Sequence, residues 1–196
     1  MLTLNKIAIT GTLSSGKSTV CRLFQEKGAC VANADEIVHQ LLSPHTHVGK
    51  QIINLFGNLN RQHIAEMAFA RPDLLEDLEL ILHPEVFKTI EAQYQRACQD
   101  PRYSLFVAEI PIMTQAFIDA GYDMVVVVSA NRSLCQKRFG QKDFELRMQR
   151  QDNLKPWTHP CVRTIINNGS IDELKLQVDK IYTEIRSLFS HEPRGK

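Results

Sequence analysis

Gly11-Thr12-Leu13-Ser14-Ser15-Gly16-Lys17-Ser18 decides the reading of this chain, because it fits G-x-x-x-x-G-K-[ST], the pattern of a loop that cradles phosphates. Its flanks agree with the pattern. Residues 4–10 (LNKIAIT) are short and mostly apolar and read as a buried strand. Residues 18–27 carry Val20, Leu23 and Phe24 at helical spacing. A strand, a tight loop and a helix N-terminus aim backbone N–H groups and the helix dipole at one anion. Gly11 and Gly16 supply the backbone freedom and close approach that a Cβ would block. Lys17 is expected to reach the β- and γ-phosphates of a nucleotide, and the Ser18 hydroxyl to sit on Mg²⁺. Ser14, Ser15 and Thr19 complete the expected nucleotide-binding set.

Working outward, 196 residues suffice for one α/β domain with a small inserted lid. A net charge of +1 gives no general polyanion footprint, so no nucleic-acid partner is expected. Cations do cluster locally, at Arg132, Lys137, Arg138, Lys142, Arg147 and Arg150. No stretch is apolar for the length of a membrane span, and no basic flank precedes a long apolar run, so neither membrane association nor a signal peptide is expected. The five cysteines are scattered and form no C-x-x-C pair, which favours reduced thiols in a cytoplasmic setting over a disulfide frame or a zinc site. Cys21 lies one helical turn past the loop and reads as a small packing residue or as an oxidisable thiol.

Residues 29–34 (ACVANA) form a second expected strand, leading into Asp35 and a helix to about Leu42. Asp35 fits either a helix N-cap or a general base. The second reading takes this strand as a neighbour of the loop strand, which would turn the carboxylate toward the γ-phosphate. Helices are expected over 48–56, 61–70, 72–82 and 85–98, with a break at His83 before Pro84. A lone His there is structural or acceptor-binding. So long a helical run predicts a subdomain beside the sheet. Residues 104–108 (SLFVA) form a third strand ending in Glu109, which resembles a segment whose carboxylate holds Mg²⁺. Pro111 breaks this strand, and a short helix follows over 113–120. Residues 123–129 (DMVVVVS) read as a central parallel strand covered on both faces. Residues 131–151 form a basic helical pair joined at about 140–143, either a solvated face or a mobile lid over ATP. A proline-punctuated loop, a last strand over 162–167, a closing helix over 171–189 and a frayed tail over 190–196 complete the chain.

The expected fold is therefore α/β, a parallel five-stranded sheet flanked by helices. A GTPase would need N-K-x-D on a later strand, and residues 125–131 supply none. A motor ATPase or helicase would usually be larger. A small P-loop kinase fits the length, the helical insertion and the basic lid. Beyond that class, the chain resembles the dephospho-coenzyme A kinase family along nearly its whole length. The loop and following residues are GTLSSGKST, Asn33-Ala34-Asp35 matches D-A-D, Leu82-His83-Pro84-Glu85-Val86 matches L-H-P-x-V, and Glu109-Ile110-Pro111-Ile112-Met113 matches D-x-P-L-L. Arg147 to Gln151 matches R-x-x-x-Q, and Asn167-Asn168-Gly169 matches N-x-G. Departures fall at Ser14, Asn33, His39, Glu109, Gln115, Lys142 and Trp157.

The resemblance implies a P-loop kinase-like domain with a core over about residues 1–35, 101–130 and 161–190, a helical substrate-binding region over about 36–100, and a lid over about 131–160. It implies transfer of the ATP γ-phosphate to the 3′-hydroxyl of dephospho-coenzyme A. Asp35 would orient and deprotonate that hydroxyl, while Lys17, Arg138, Lys142 and Arg147 stabilise the phosphoryl group. Arg61, His83 and Pro111 join Asp35 in holding the acceptor, and Ser18 and Glu109 hold Mg²⁺. The partner is then a small molecule, and the enzyme a monomer or weak homo-oligomer. Two alternatives stand beside this reading: a kinase for another nucleoside or small metabolite, and a degenerate, non-catalytic nucleotide-binding protein.

Overall fold

Ile7, Ala8 and Ile9 sit at 0% exposure in the middle of strand β1 (Lys6–Gly11), every residue of which is buried. Such a strand must be covered on both faces, as parallel strands are. The computed structural model describes residues 3–140, 143–154 and 156–189. Lys142, the joint before α8, Lys155 and the tail read as frayed therefore fall wholly or partly outside the described residues.

The chain divides into two compact units, Met1–Ala32 with Gln93–Lys196, and Asn33–Ala92. The first holds the sheet. Its further strands are β2 (Ala29–Asn33), β3 (Leu105–Glu109), β4 (Met124–Ser129) and β5 (Val162–Ile166), in the order β2-β3-β1-β4-β5. The pairings of β1 with β3 and β4, and of β4 with β5, are parallel. Thus β3, not β2, lies beside the loop strand, which corrects the adjacency expected for the strand leading to Asp35. β3 carries the bulkier apolar side chains, Leu105, Phe106 and Val107 against the small residues of β2, and all of it is buried, whereas β2 is half-exposed at most positions and takes the edge. Connections leave β1 toward β2 on one side and β4 toward β5 on the other. The switch point, where ligands bind in open α/β sheets, falls between β1 and β4.

Helices α1 (Lys17–Gln25) and α9 (Ile171–Phe189) share one core with the sheet. Helix α9 offers Leu174, Val178, Ile181 and Ile185, a single apolar stripe, to Ile7, Ile9, Val126 and Ile165. Burial of each such side chain contributes about 1.5–3 kcal/mol. Tyr94 stands edge-on to Phe106 at 5.3 Å and donates its hydroxyl to Leu4 O at 2.9 Å. Helices α6 (Gln115–Asp119), α7 (Arg132–Phe139) and α8 (Phe144–Asp152) complete this unit. Gly140, at φ 67°, ends α7 in the left-handed conformation that glycine favours. Cys135, Phe144 and Met148 form a small core under the α7–α8 pair, with Leu13 of the loop packed against it.

The second unit is helical: α2 (Ala34–Leu41), α3 (His47–Phe56), α4 (Arg61–Ala70) and most of α5 (Pro72–Cys98). Val48, Ile52, Phe56, Ile64, Ala68 and Leu74 form its own core. Helix α5 runs unbroken through Pro84, against the expected break at His83. Proline removes the N–H that would bond the Leu80 carbonyl. Leu80 and Pro84 are both exposed, so the lost bond falls on the solvent side of the helix, where its cost is low, and packing on the buried side carries the helix through. No helix among the described residues is long and apolar enough to cross a membrane.

Candidate active site

The β1–α1 junction turns tightly, with Ser15 N donating to Thr12 O at 3.1 Å. Gly11 has φ 146°, and a Cβ there would overlap the Val128 backbone of β4. Gly16, at φ 99°, caps α1, and a Cβ there would run into the Asn167 amide. Ser14 takes φ 56°, a left-handed conformation that costs a residue with a Cβ about 1–2 kcal/mol. The Ser15 hydroxyl is buried without a hydrogen-bond partner among the described residues, a further cost of about 1–3 kcal/mol. The loop is held under strain by what surrounds it.

Lys17 Nζ donates to Gly11 O and Thr12 O, both at 3.0 Å, so the ammonium lies back across the loop. Ser18 Oγ donates to Glu109 Oε1 at 2.7 Å. Glu109 is 5% exposed at the end of β3, beside the loop strand, where β3 pairs with β1. A hydroxyl and a carboxylate so placed are hard oxygen donors of the kind Mg²⁺ takes one or two of, its remaining positions going to phosphates and water. The residues present therefore fit Mg²⁺. Cys21 is buried one turn on, and burial first, then the Glu109 carboxylate, pushes its thiol well above the usual range. A thiol so held is a packing group and a poor nucleophile.

Three side chains from later in the chain reach the same loop. Gln151 of α8 donates Nε2 to Gly11 O and accepts at Oε1 from Leu13 N, each at 2.9 Å. Asn167, just past β5, donates Nδ2 to Ser15 O at 2.8 Å. Arg138 of α7 donates to Asn167 O at 3.1 Å and, more weakly, to Ser15 O at 3.5 Å. Gln151 and Asn167 were absent from the site expected from sequence. The signal was present, since both stand in the motifs Arg147 to Gln151 and Asn167-Asn168-Gly169.

The structure thus gathers Gly11, Ser14, Ser15, Gly16, Lys17, Ser18, Glu109 and Arg138, with half-buried Thr19 in the first turn of α1. Pro111 lies two residues beyond Glu109, where β3 has ended. Arg147 is turned elsewhere, its Nε donating to Asp143 Oδ2 at 2.6 Å and its guanidinium 5.5 Å from the Phe139 ring. Within the helical unit, Asp35 is the second residue of α2 and exposed. The N-cap of α2 is Asn33, whose Oδ1 accepts from Glu36 N at 3.1 Å, so capping does not explain Asp35. Arg61 opens α4 and is exposed. His83 lies half-buried in α5, its ring 6.1 Å from that of Phe87, and burial lowers its pKa against the opposing pull of Glu79.

The chain is similar to known proteins along most of its length. A family model described as Dephospho-CoA kinase matches residues 5–173. A Dephospho-CoA kinase of Chlamydia pneumoniae is 39% identical over 199 residues, covering 95% of this chain and 98% of that one. One from Chlamydia abortus is 37% identical at the same coverage. Among solved structures, the dephospho-CoA kinase from Campylobacter jejuni superposes with a TM-score of 0.63, at 20% identity, over 93% of this chain and 98% of that one.

Proposed function

The chain belongs to the dephospho-CoA kinase family, and from that premise we propose the residues through which it transfers the ATP γ-phosphate to the ribose 3′-hydroxyl of dephospho-coenzyme A. The observation that carries the proposal is the join between Ser18 and Glu109 at 2.7 Å, beside a Lys17 folded over the loop that a phosphate would occupy.

The backbone N–H groups of the loop and the N-terminus of α1 take the phosphates. Lys17 then exchanges two backbone carbonyls for phosphate oxygens. Ser18 and Glu109 would hold Mg²⁺, which when bound would neutralise phosphate charge. Asp35, exposed at the start of α2, accepts the proton of the attacking hydroxyl. Arg138 is already at the loop, while Arg147 and Lys142 bring further positive charge as the α7–α8 lid closes. Arg147 must leave Asp143 to do so, a small cost for a pair about 40% exposed on each side. By this reading residues 36–100 form the acceptor-binding region, with Arg61 and His83 holding the acceptor's polar groups and Pro111 shaping its approach. Residues 131–160 form the lid. ATP consumption with dephospho-coenzyme A far above that with adenosine, in the presence of Mg²⁺, is the expected result. Equal or greater turnover of adenosine would remove the acceptor assignment.

A further inference from the structure

Lys17 cannot serve a phosphate while it stays on the loop. It must give up Gly11 O and Thr12 O, which in a half-buried loop would otherwise be left without donors. Each of these carbonyls has a second donor. Thr12 O also accepts from Ser15 N at 3.1 Å, within the loop. Gly11 O also accepts from Gln151 Nε2 at 2.9 Å, across 140 residues of sequence. A carbonyl has two lone pairs, so two donors can share it and either can leave. The other end of the same amide accepts from Leu13 N, fixing both edges of the first loop turn. No other side-chain type of this length offers a neutral donor and acceptor together.

We propose that Gln151 is a positioning residue for the phosphate loop: by keeping the Gly11 carbonyl satisfied it lets Lys17 swing from the loop to the phosphates at little cost. It also ties α8 to the loop through the same amide. The proposal rests on the reading of the loop as the ATP site, but it concerns nucleotide binding and not the acceptor. Lys17 shares the Gly11 carbonyl with the amide, while Arg138 donates to Ser15 O and Glu109 accepts from Ser18 on the same loop. A neutral amide leaves Lys17 transferable, whereas a carboxylate at 151 would hold it.

The test is a double-mutant cycle read by binding of a ribose-labelled fluorescent ATP analogue, on the full-length protein and without acceptor. Gln151→Met keeps the length and packing and removes both hydrogen bonds. It should weaken binding about tenfold in the wild-type background, the order expected for one carbonyl, Gly11 O, left without a donor once Lys17 leaves. In a Lys17→Met background the same change should cost less than about twofold, because there is no ammonium to release. Should Gln151→Met fail to fold by thermal melting, Gln151→Leu, also neutral and without hydrogen-bonding groups, takes its place, with a loss of the same order in the wild-type background and the same collapse in the other. Equal losses in the two backgrounds, or none in either, would overturn the proposal. If the wild-type protein binds the analogue yet leaves dephospho-coenzyme A untouched, the acceptor reading fails and the cycle still decides on Gln151.

Discussion

Lys17, Ser18, Glu109, Gln151 and Asn167 are tied to one short loop, or to one another beside it, by hydrogen bonds of 2.7 to 3.0 Å. Asp35, Arg61 and His83 stand on three separate helices of Asn33–Ala92, a unit whose shared feature is an apolar core. On the proposed assignment, the contrast follows from what each region would grip. A triphosphate is small, highly charged and always the same, so its cradle can be built in advance from backbone and strained loop residues. An acceptor carrying an adenosine and a long arm presents varied surface, and residues on exposed helix faces suit it.

The contrast can be broken most sharply at Lys17. Lys17→Ala should abolish measurable turnover and weaken ATP binding while leaving the melting temperature near that of the wild type, because Lys17 packs on the loop and not in the core. A variant that unfolds, or that keeps near-normal turnover, would contradict the assignment of the loop. Next in size is Asp35→Asn, nearly isosteric, in the other region. It should keep ATP affinity and lose about 10²–10⁴-fold in kcat, the range for a general base. Full activity in that variant would leave Asp35 without a catalytic role, since capping of α2 already belongs to Asn33. The two variants together separate the regions: nucleotide affinity should fall in the first alone.

The smallest effect is expected at Ser14. Glycine relieves a left-handed residue of about 1–2 kcal/mol and adds chain entropy worth about 0.5–1 kcal/mol to the unfolded state. Ser14→Gly should therefore stabilise by about 0.5–1 kcal/mol in urea unfolding, with kcat changed by less than about twofold. A destabilised variant would show that the serine side chain itself supports the loop.

How much of this was legible in the sequence differs between the two regions. The loop, β1, α1 and the acid at Glu109 could be read because a spaced motif and strand-end position are local facts. The place of β2 could not, since strand order depends on which strand the sheet most needs to bury, and β3, with Leu105, Phe106 and Val107, took that place. Pro84 misled because the rule for proline is about a lost bond, and the exposed side of α5 tolerates that loss. Gln151 and Asn167 escaped notice because a side chain bonded to backbone 140 or 152 residues away leaves no periodicity behind. In the helical unit the apolar spacing gave the helices and their core, but exposed polar residues carry no such pattern.

The central claim is phosphoryl transfer to the ribose 3′-oxygen of dephospho-coenzyme A, and the position of the new phosphate tests it most directly. Incubation with ATP, Mg²⁺ and dephospho-coenzyme A should yield one product whose added phosphate lies on the ribose 3′-oxygen, read by ³¹P NMR and mass fragmentation. Phosphate found on another atom, or transferred far better to adenosine or a nucleoside monophosphate than to dephospho-coenzyme A, would contradict the account.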